Sequence, residues 1–336
     1  MPKKNVILLG STGAIGGMCL DVLKASSEYQ IVAITAYTNK KELEKIQHDF
    51  NVPHSFLVNA KNKAEGLSIA NFLIDKYNKS DTIVINAVQG SGGLNFSEYF
   101  ACAGFDLYLA NKETVVCGGR EFMKMAEEKG SQIIPLDTEM VALSHLVTSF
   151  GKENIDEFII TASGGPFFNY TSKELKNITY KEATKHPVWK MGKEISVDSA
   201  TLLNKALEIV EAAVLFDIPP KQIKVLFQKE SYVHSLVRLK NGMLYAELYT
   251  PDQRVALSDA LGIKRKAEPR TSIPTLHFNE AKNITALELG YEAALSNKKA
   301  KALVEGKEEA YIRFKNGEIQ FNKIVAFVQN HMKAIE

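Results

Sequence analysis

Between residues 163 and 208 the chain concentrates groups able to grip an oxyanion and feed a metal ion. Ser163-Gly164-Gly165-Pro166-Phe167 comes first, then His186-Pro187-Val188-Trp189, Ser199-Ala200-Thr201, Asn204, Lys205 and Glu208. Small residues after the apolar run Phe158-Ile159-Ile160 expose backbone N–H groups to an anion. Ser163, Ser199, Asn204 and Lys205 suit a phosphate: the lysine supplies charge and the others neutral donors. Earlier, Asp137 and Glu139 flank Thr138 at the end of a strand-like run. In extended backbone, residues two apart point the same way, so these carboxylates converge and repel unless a cation joins them. Mg²⁺ or Mn²⁺ is the natural hard partner. Two carboxylates are few for a firm site, and Glu208 is the candidate third ligand.

The elements that must position these groups can be read from spacing. Leu203, Leu207, Val210 and Val214 predict one helix from Ala200 to Phe216, with Asn204, Lys205 and Glu208 sharing a side. A surface ion pair between Lys205 and Glu208 is the competing reading. His186, Trp189 and Met191 lie among Pro187 and Gly192, which reads as a loop. Its tryptophan is either a lid over substrate or a ring tucked into the core. His234 alternates within a strand-like run through Val237, facing a pocket or hydrogen-bonded in the sheet.

The first half alternates buried strands with helices. Val6-Ile7-Leu8-Leu9 leads into Gly10-Ser11-Thr12-Gly13-Ala14-Ile15-Gly16, then a helical pattern, then a second strand from Ile31 to Ala36. Glycines let backbone approach a pyrophosphate, and a helix N-terminus offers N–H groups to it. The spacing departs from the usual dinucleotide fingerprint, and a ligand-free tight turn is the alternative. After the second strand come Tyr37, Thr38, Asn39, Lys40 and Lys41, with no acid until Glu42. Such donors suit the 2′-phosphate of NADPH better than the 2′-hydroxyl of NAD, unless the lysines merely begin a solvated helix. Further strands run from Thr82 to Ala87, before Gly90-Ser91-Gly92-Gly93, and from Asp106 to Ala110, before Asn111, Lys112 and Glu113. Another, from Gln132 to Leu136, precedes Asp137. Strand carboxyl ends are where open parallel sheets bind ligands.

The expected fold is α/β, with an N-terminal Rossmann-like parallel sheet, an α/β catalytic domain and a small C-terminal helical domain. The expected boundaries are 1–144, 145–263, a linker at 264–282, and 283–336. Strands are expected at 224–227, 232–239 and 243–248, with Asn241-Gly242 as a hairpin turn. A net charge of +2, from 41 basic and 39 acidic residues, gives no case for nucleic acid or a broad membrane-binding face. Cys19, Cys102 and Cys117 show no metal-type spacing, and their odd number favours a reducing compartment. No run approaches membrane-span length and the start is too short for a signal-peptide core, so a soluble cytoplasmic protein is expected.

In this order, the motifs resemble those of the 1-deoxy-D-xylulose 5-phosphate reductoisomerases. The resemblance rests on the glycine turn at 10–16, Ala110-Asn111-Lys112-Glu113, Asp137-Thr138-Glu139, and Ala162 to Phe167. It rests also on His186 to Trp189 and the run from Ile195 to Glu208, and covers most of the chain through about Leu261. It implies an NADPH- and metal-dependent enzyme that converts 1-deoxy-D-xylulose 5-phosphate to 2-C-methyl-D-erythritol 4-phosphate, and a homodimer. It implies Asp137, Glu139 and Glu208 as metal ligands, with Lys112, Glu139, His186 and His234 as catalytic groups. Thr138, Ser163, Ser199, Asn204 and Lys205 would contact substrate, with Lys112 and Glu208 and with His186 and Trp189 from a lid. Gly10 to Ile15, Tyr37, Thr38, Asn39, Asn111 and Glu113 would face the cofactor.

Departures from the family pattern are Met140 where Glu-His is usual, Ala206 for glycine, and Gln228-Lys229-Glu230-Ser231 for His-Pro-Gln-Ser. Glu305 to Ala310 also replaces an Asn-Glu helix motif. These leave open a paralogue acting on a related phosphorylated or phosphonate substrate. A semialdehyde-type dehydrogenase would need a nucleophilic cysteine. Cys117 is the one candidate, and nothing near it argues for activation. A non-enzymatic NADPH-binding regulator would predict damage at the metal and phosphate positions, which are intact.

Overall fold

The longest apolar runs of the first half become central strands buried on both faces, as a helix-covered parallel sheet requires. The computed structural model describes residues 3–59, 62–185, 192–265, 272, 274–282 and 284–335. In chain order the first half is β1 (Lys4–Leu9), α1 (Ala14–Lys24), β2 (Tyr29–Ala36), α2 (Lys40–Asp49), β3 (His54–Leu57) and α3 (Lys63–Lys76). Then come β4 (Thr82–Asn86), α4 (Gly93–Cys102), β5 (Asp106–Leu109), α5 (Lys112–Glu128) and β6 (Ile133–Pro135). All six strands pair in parallel in the order β3-β2-β1-β4-β5-β6, the order of a doubly wound dinucleotide-binding sheet. β3 was not expected. It is a short edge strand without a fully buried residue, so it carries no hydrophobic signature.

The second half runs α6 (Thr138–Phe150), β7 (Ile155–Ala162), α7 (Ser172–Leu175), α8 (Tyr180–Ala183), α9 (Lys193–Ala200) and α10 (Leu203–Leu215). It continues with β8 (Ile223–Phe227), β9 (Val233–Leu239), β10 (Leu244–Leu248), α11 (Gln253–Ala260) and β11 (Asn279–Glu280). Three helices close the chain: α12 (Thr285–Ala293), α13 (Asn297–Lys315) and α14 (Ile324–Ala334). Its sheet is mixed, in the order β10-β9-β7-β8-β11, with β7 and β8 parallel and β9 antiparallel to β7 and β10.

The chain divides into two compact units, Met1–Asp137 with Gln253–Lys266, and Thr138–Asp252 with Ala267–Glu336. This differs from the expected boundaries at 144 and 263. The reason lies in α11, whose Leu257 joins Leu261 and Ile263 in the core around β1 and α1. The Tyr29 hydroxyl donates to the Leu261 carbonyl at 2.7 Å, and Gln253 Nε2 donates to the Leu136 carbonyl at 2.6 Å. The three C-terminal helices group with the second unit.

The single helix expected from Ala200 to Phe216 is two. Thr201 Oγ1 donates back to the carbonyls of Val197 (2.9 Å) and Asp198 (3.2 Å), and Leu202 turns left-handed at φ +62°. α10 starts afresh after that corner. It is buried along almost its whole length, and α12 packs on it at a glycine: a Cβ on Gly290 would stand 2.6 Å from the Ala206 carbonyl oxygen. Gly290→Ala should therefore cost about 1–3 kcal/mol. Denaturant unfolding checks this, and an unchanged midpoint would show that the two helices can part without penalty.

Candidate active site

The glycine turn after β1 is fixed by β2. Gly10 has φ +80°, and a Cβ there would lie 2.5 Å from the Ala87 carbonyl oxygen, so only glycine fits. Gly10 N–H donates to Thr35 Oγ1 at 3.0 Å, while Ser11 N–H and Oγ both donate to the Thr35 carbonyl. α1 follows with Gly13 at its N-cap and no side-chain cap, so the amides of Ala14 and Ile15 lack intrahelical partners. Thr12, Gly13, Ala14 and Ile15 are partly or fully exposed. Tyr37, Thr38 and Asn39 are exposed beyond β2. Asn39 also caps α2, accepting from Glu42 N–H at 3.2 Å, and Lys40 pairs with Glu44 at 3.7 Å.

Asn111 is buried and serves the loop after β4. It accepts from Thr114 N–H at 2.7 Å and donates to the carbonyls of Gly90 (2.8 Å) and Val88. Its side chain thus pins the 88–90 backbone and caps α5. Glu113 is buried in the first turn of that helix.

The carboxylates meet. One ligand oxygen from each of Asp137, Glu139 and Glu208 lies within 4.8 Å of the others. The expected reason was extended backbone, and here the structure differs. β6 ends at Pro135 and α6 begins at Thr138, so Glu139 stands in the first turn of a helix. Two lysines thread the cluster. Lys112 Nζ donates to Asp137 at 3.1 Å; Lys205 Nζ donates to Glu139 at 3.1 Å and also to Glu208. Asn204 Nδ2 donates to Glu208 at 2.5 Å. Lys112, Lys205 and Glu208 are all at least nine-tenths buried. The surface ion-pair reading of Lys205 and Glu208 therefore fails on burial. Three carboxylates against two ammoniums leave one negative charge, and an all-oxygen donor set of that kind fits a hard dication.

The Ser163 turn closes on α9. Gly164 and Gly165 have φ +84° and +69°, and Gly165 N–H donates to Ser163 Oγ at 3.3 Å. A Cβ on Gly165 would stand 3.0 Å from both the Ser199 carbonyl oxygen and Ala200 Cα, so the turn lies directly against the Ser199 backbone. His186 and Trp189 lie outside the described residues.

His234 is 2% exposed, and its Nε2–H donates to the Tyr249 carbonyl at 3.2 Å while its ring stacks on that of Tyr249 at 3.9 Å. Burial pushes its pKa down to about 4, with the nearby Lys205 charge acting in the same sense. Three contacts escaped the sequence reading. The first is Lys112 to Asp137, which was implicit in parallel neighbours β5 and β6, because their C-terminal ends lie level. The others are Ser235 Oγ donating to the Glu139 carbonyl (2.7 Å) and Tyr249 Oη donating to the Thr138 carbonyl (3.0 Å). No local motif marks either residue.

Fold and site together are those of a dinucleotide-binding α/β oxidoreductase with a cluster of three carboxylates that could hold a metal ion. Comparison with known proteins makes this specific. Residues 6–119 match the model of the 1-deoxy-D-xylulose 5-phosphate reductoisomerase family, and residues 133–216 that of its C-terminal domain. The enzyme of that name from Treponema denticola is 35% identical, over 98% of this chain and 90% of its own length. That of Listeria monocytogenes is also 35% identical, over 98% and 92%. A crystal structure of the reductoisomerase with NADPH, fosmidomycin and magnesium superposes with a TM-score of 0.86 at 28% identity, covering 99% of this chain and 90% of that one. The Zymomonas mobilis enzyme with NADPH gives 0.83 at 28% identity, covering 99% and 92%. The chain belongs to the 1-deoxy-D-xylulose 5-phosphate reductoisomerase family.

The buried state of His234 sets a pH dependence. Its folded pKa is lowered from 6.5 to about 4. The unfolded chain therefore binds the proton first as pH falls. The stability from keeping this ring neutral is complete above the unfolded value and is lost as pH drops through the window down to about 4. The loss should total about 3 kcal/mol. His234→Gln should flatten that part of the acid limb in denaturant melts, and an equal slope in both proteins would reject the assignment.

Proposed function

We infer that this chain is an NADPH- and divalent-metal-dependent reductoisomerase that converts 1-deoxy-D-xylulose 5-phosphate to 2-C-methyl-D-erythritol 4-phosphate. The observation that carries the reading is the buried cluster of Asp137, Glu139 and Glu208, laced by Lys112 and Lys205. We assign the three carboxylates as ligands of Mg²⁺ or Mn²⁺. When bound, the dication would supply Lewis-acid polarisation of the substrate ketone, and NADPH the hydride for the rearranged aldehyde.

The chain's own residues supply binding and orientation. Gly10 to Ile15 offer backbone donors to the NADPH pyrophosphate. Tyr37, Thr38 and Asn39 are assigned to the 2′-phosphate, with Asn39 sharing its oxygen with the α2 cap. Ser163 and Ser199 hold the substrate phosphate, with Asn204 and Lys205 at the junction of phosphate and metal. In this arrangement Asn204 and Lys205 steady Glu208 and reach substrate from the same positions. Lys112 holds Asp137. Asn111 acts by pinning the 88–90 loop. His186 and Trp189 are assigned to a cover over the site by the family resemblance. Remote grip on the phosphate supplies binding energy that the reacting carbons can use.

We further propose a cytoplasmic homodimer. The edge strand β10 exposes Leu244 and Leu248, an apolar edge that a partner would cover. The three cysteines carry no disulfide. Among the described residues no helix is long and apolar enough to cross a membrane.

With NADPH, 1-deoxy-D-xylulose 5-phosphate and Mn²⁺ or Mg²⁺, the protein should oxidise one NADPH per rearranged alcohol formed. Glu208→Gln should lower turnover by at least about 100-fold and weaken Mn²⁺ binding. Tight NADPH binding without turnover on this substrate would sink the reading.

A further inference from the structure

We propose that Tyr249 and Ser235 are positioning residues for the metal site, clamping the backbone that carries Glu139 and tying it to His234. The proposal rests on the reading of Glu139 as a metal ligand. Glu139 and Thr138 occupy the first turn of α6, and helix termini fray unless tied down. A ligand carboxylate there needs a fixed backbone. Ser235 lies in β9, in the sheet interior, and is fully buried; its hydroxyl donates to the Glu139 carbonyl at 2.7 Å. Tyr249 follows β10, and its hydroxyl donates to the Thr138 carbonyl at 3.0 Å. Each carbonyl has a second lone pair, so these bonds add to the helical ones. The clamp thus bolts two consecutive peptide groups of a helix start to a sheet.

Tyr249 has a second role in the same place. Its ring stacks on His234 at 3.9 Å with planes 26° apart, and its carbonyl accepts the His234 Nε2–H at 3.2 Å. Its own N–H donates to the Tyr232 carbonyl at 3.1 Å, which holds it against the strand leading into β9. One residue therefore sets the orientation of His234 and the height of the α6 terminus together. Nothing in this arrangement requires Tyr249 or Ser235 to touch substrate. They act through Glu139 and His234.

Direct Mn²⁺ binding, measured by electron paramagnetic resonance or calorimetry without substrate, tests the clamp. Tyr249→Phe keeps the stacked ring and removes only the hydroxyl; Ser235→Ala removes the other. Each should weaken Mn²⁺ about tenfold, the usual cost of losing a group that orients a ligand. NADPH affinity should be unchanged in both, which separates the effect from general misfolding. Tyr245→Phe, on β10, should bind Mn²⁺ as the parent does. Tyr249→Leu should in addition move the His234 ring resonances, which Tyr249→Phe should leave in place. Glu139→Gln tests the underlying reading. If it loses Mn²⁺ while Tyr249→Phe and Ser235→Ala retain parental affinity, the clamp is refuted. If Glu139→Gln binds Mn²⁺ normally, it is the ligand assignment that fails.

Discussion

Like charges at close range are the constraint around which the site is built. Asp137, Glu139 and Glu208 are held with ligand oxygens within 4.8 Å, and Glu208 is 1% exposed. Uncompensated, such an arrangement would push carboxylate pKa values up or push the side chains apart. Lys112 and Lys205 bring two compensating positive charges into contact with them. Each is itself almost fully buried, and an ammonium in that position is tolerable only because carboxylates surround it. The cations and anions are thus mutually required. Together they leave a residual negative charge that a dication can satisfy.

That requirement explains much of the local backbone. The break at Thr201 and Leu202 lets α10 start as a separate helix, so that Asn204, Lys205 and Glu208 project from its first turns while its apolar faces stay packed. Gly164 and Gly165 bring the Ser163 turn against the Ser199 carbonyl, at a distance that a side chain at 165 would strain. Asp137 follows β6 beside Lys112, which follows β5. Lys112, Asp137, Glu139 and Ser163 each sit just past the end of a strand or in the first turn of a helix. There the backbone changes direction, and side chains from distant sequence positions converge.

The strands β1, β2 and β4 were legible because both of their faces are buried, so each reads as an unbroken apolar run. The sequence did not show β3, a half-exposed edge strand. It did not show the chain return at α11, because a short amphipathic helix says nothing about which core its Leu257 enters. The three carboxylates could be named because residue type and order were enough. Their convergence does not come from extended backbone, because Glu139 is helical. Lys205 was legible as a charge near Glu208, and its bond to Glu139 was not, since that contact joins residues far apart in sequence. Ser235 and Tyr249 were invisible for the same reason. Their partners are backbone carbonyls, which leave no trace in residue identity.

The departures from the family pattern also gain a physical meaning. Met140 is wholly buried, so the position after Glu139 is part of the core. Ala206 is matched across the helix pair by Gly290, whose missing Cβ makes room at the Ala206 carbonyl. Gln228 is buried and organises the turn before β9: its Oε1 accepts from the N–H groups of Tyr232 (2.9 Å) and Val233 (3.3 Å), and its Nε2 donates to Glu230. Glu230 in turn holds His277 at 2.7 Å. These changes fall in core packing and in the turn before β9, while the groups that would meet metal, phosphate and cofactor stay in place. A shift of substrate would be expected to alter the contacting groups first, because discrimination between related substrates comes from contacts made at the reacting molecule. The pattern of drift therefore favours the same reaction on a differently supported scaffold.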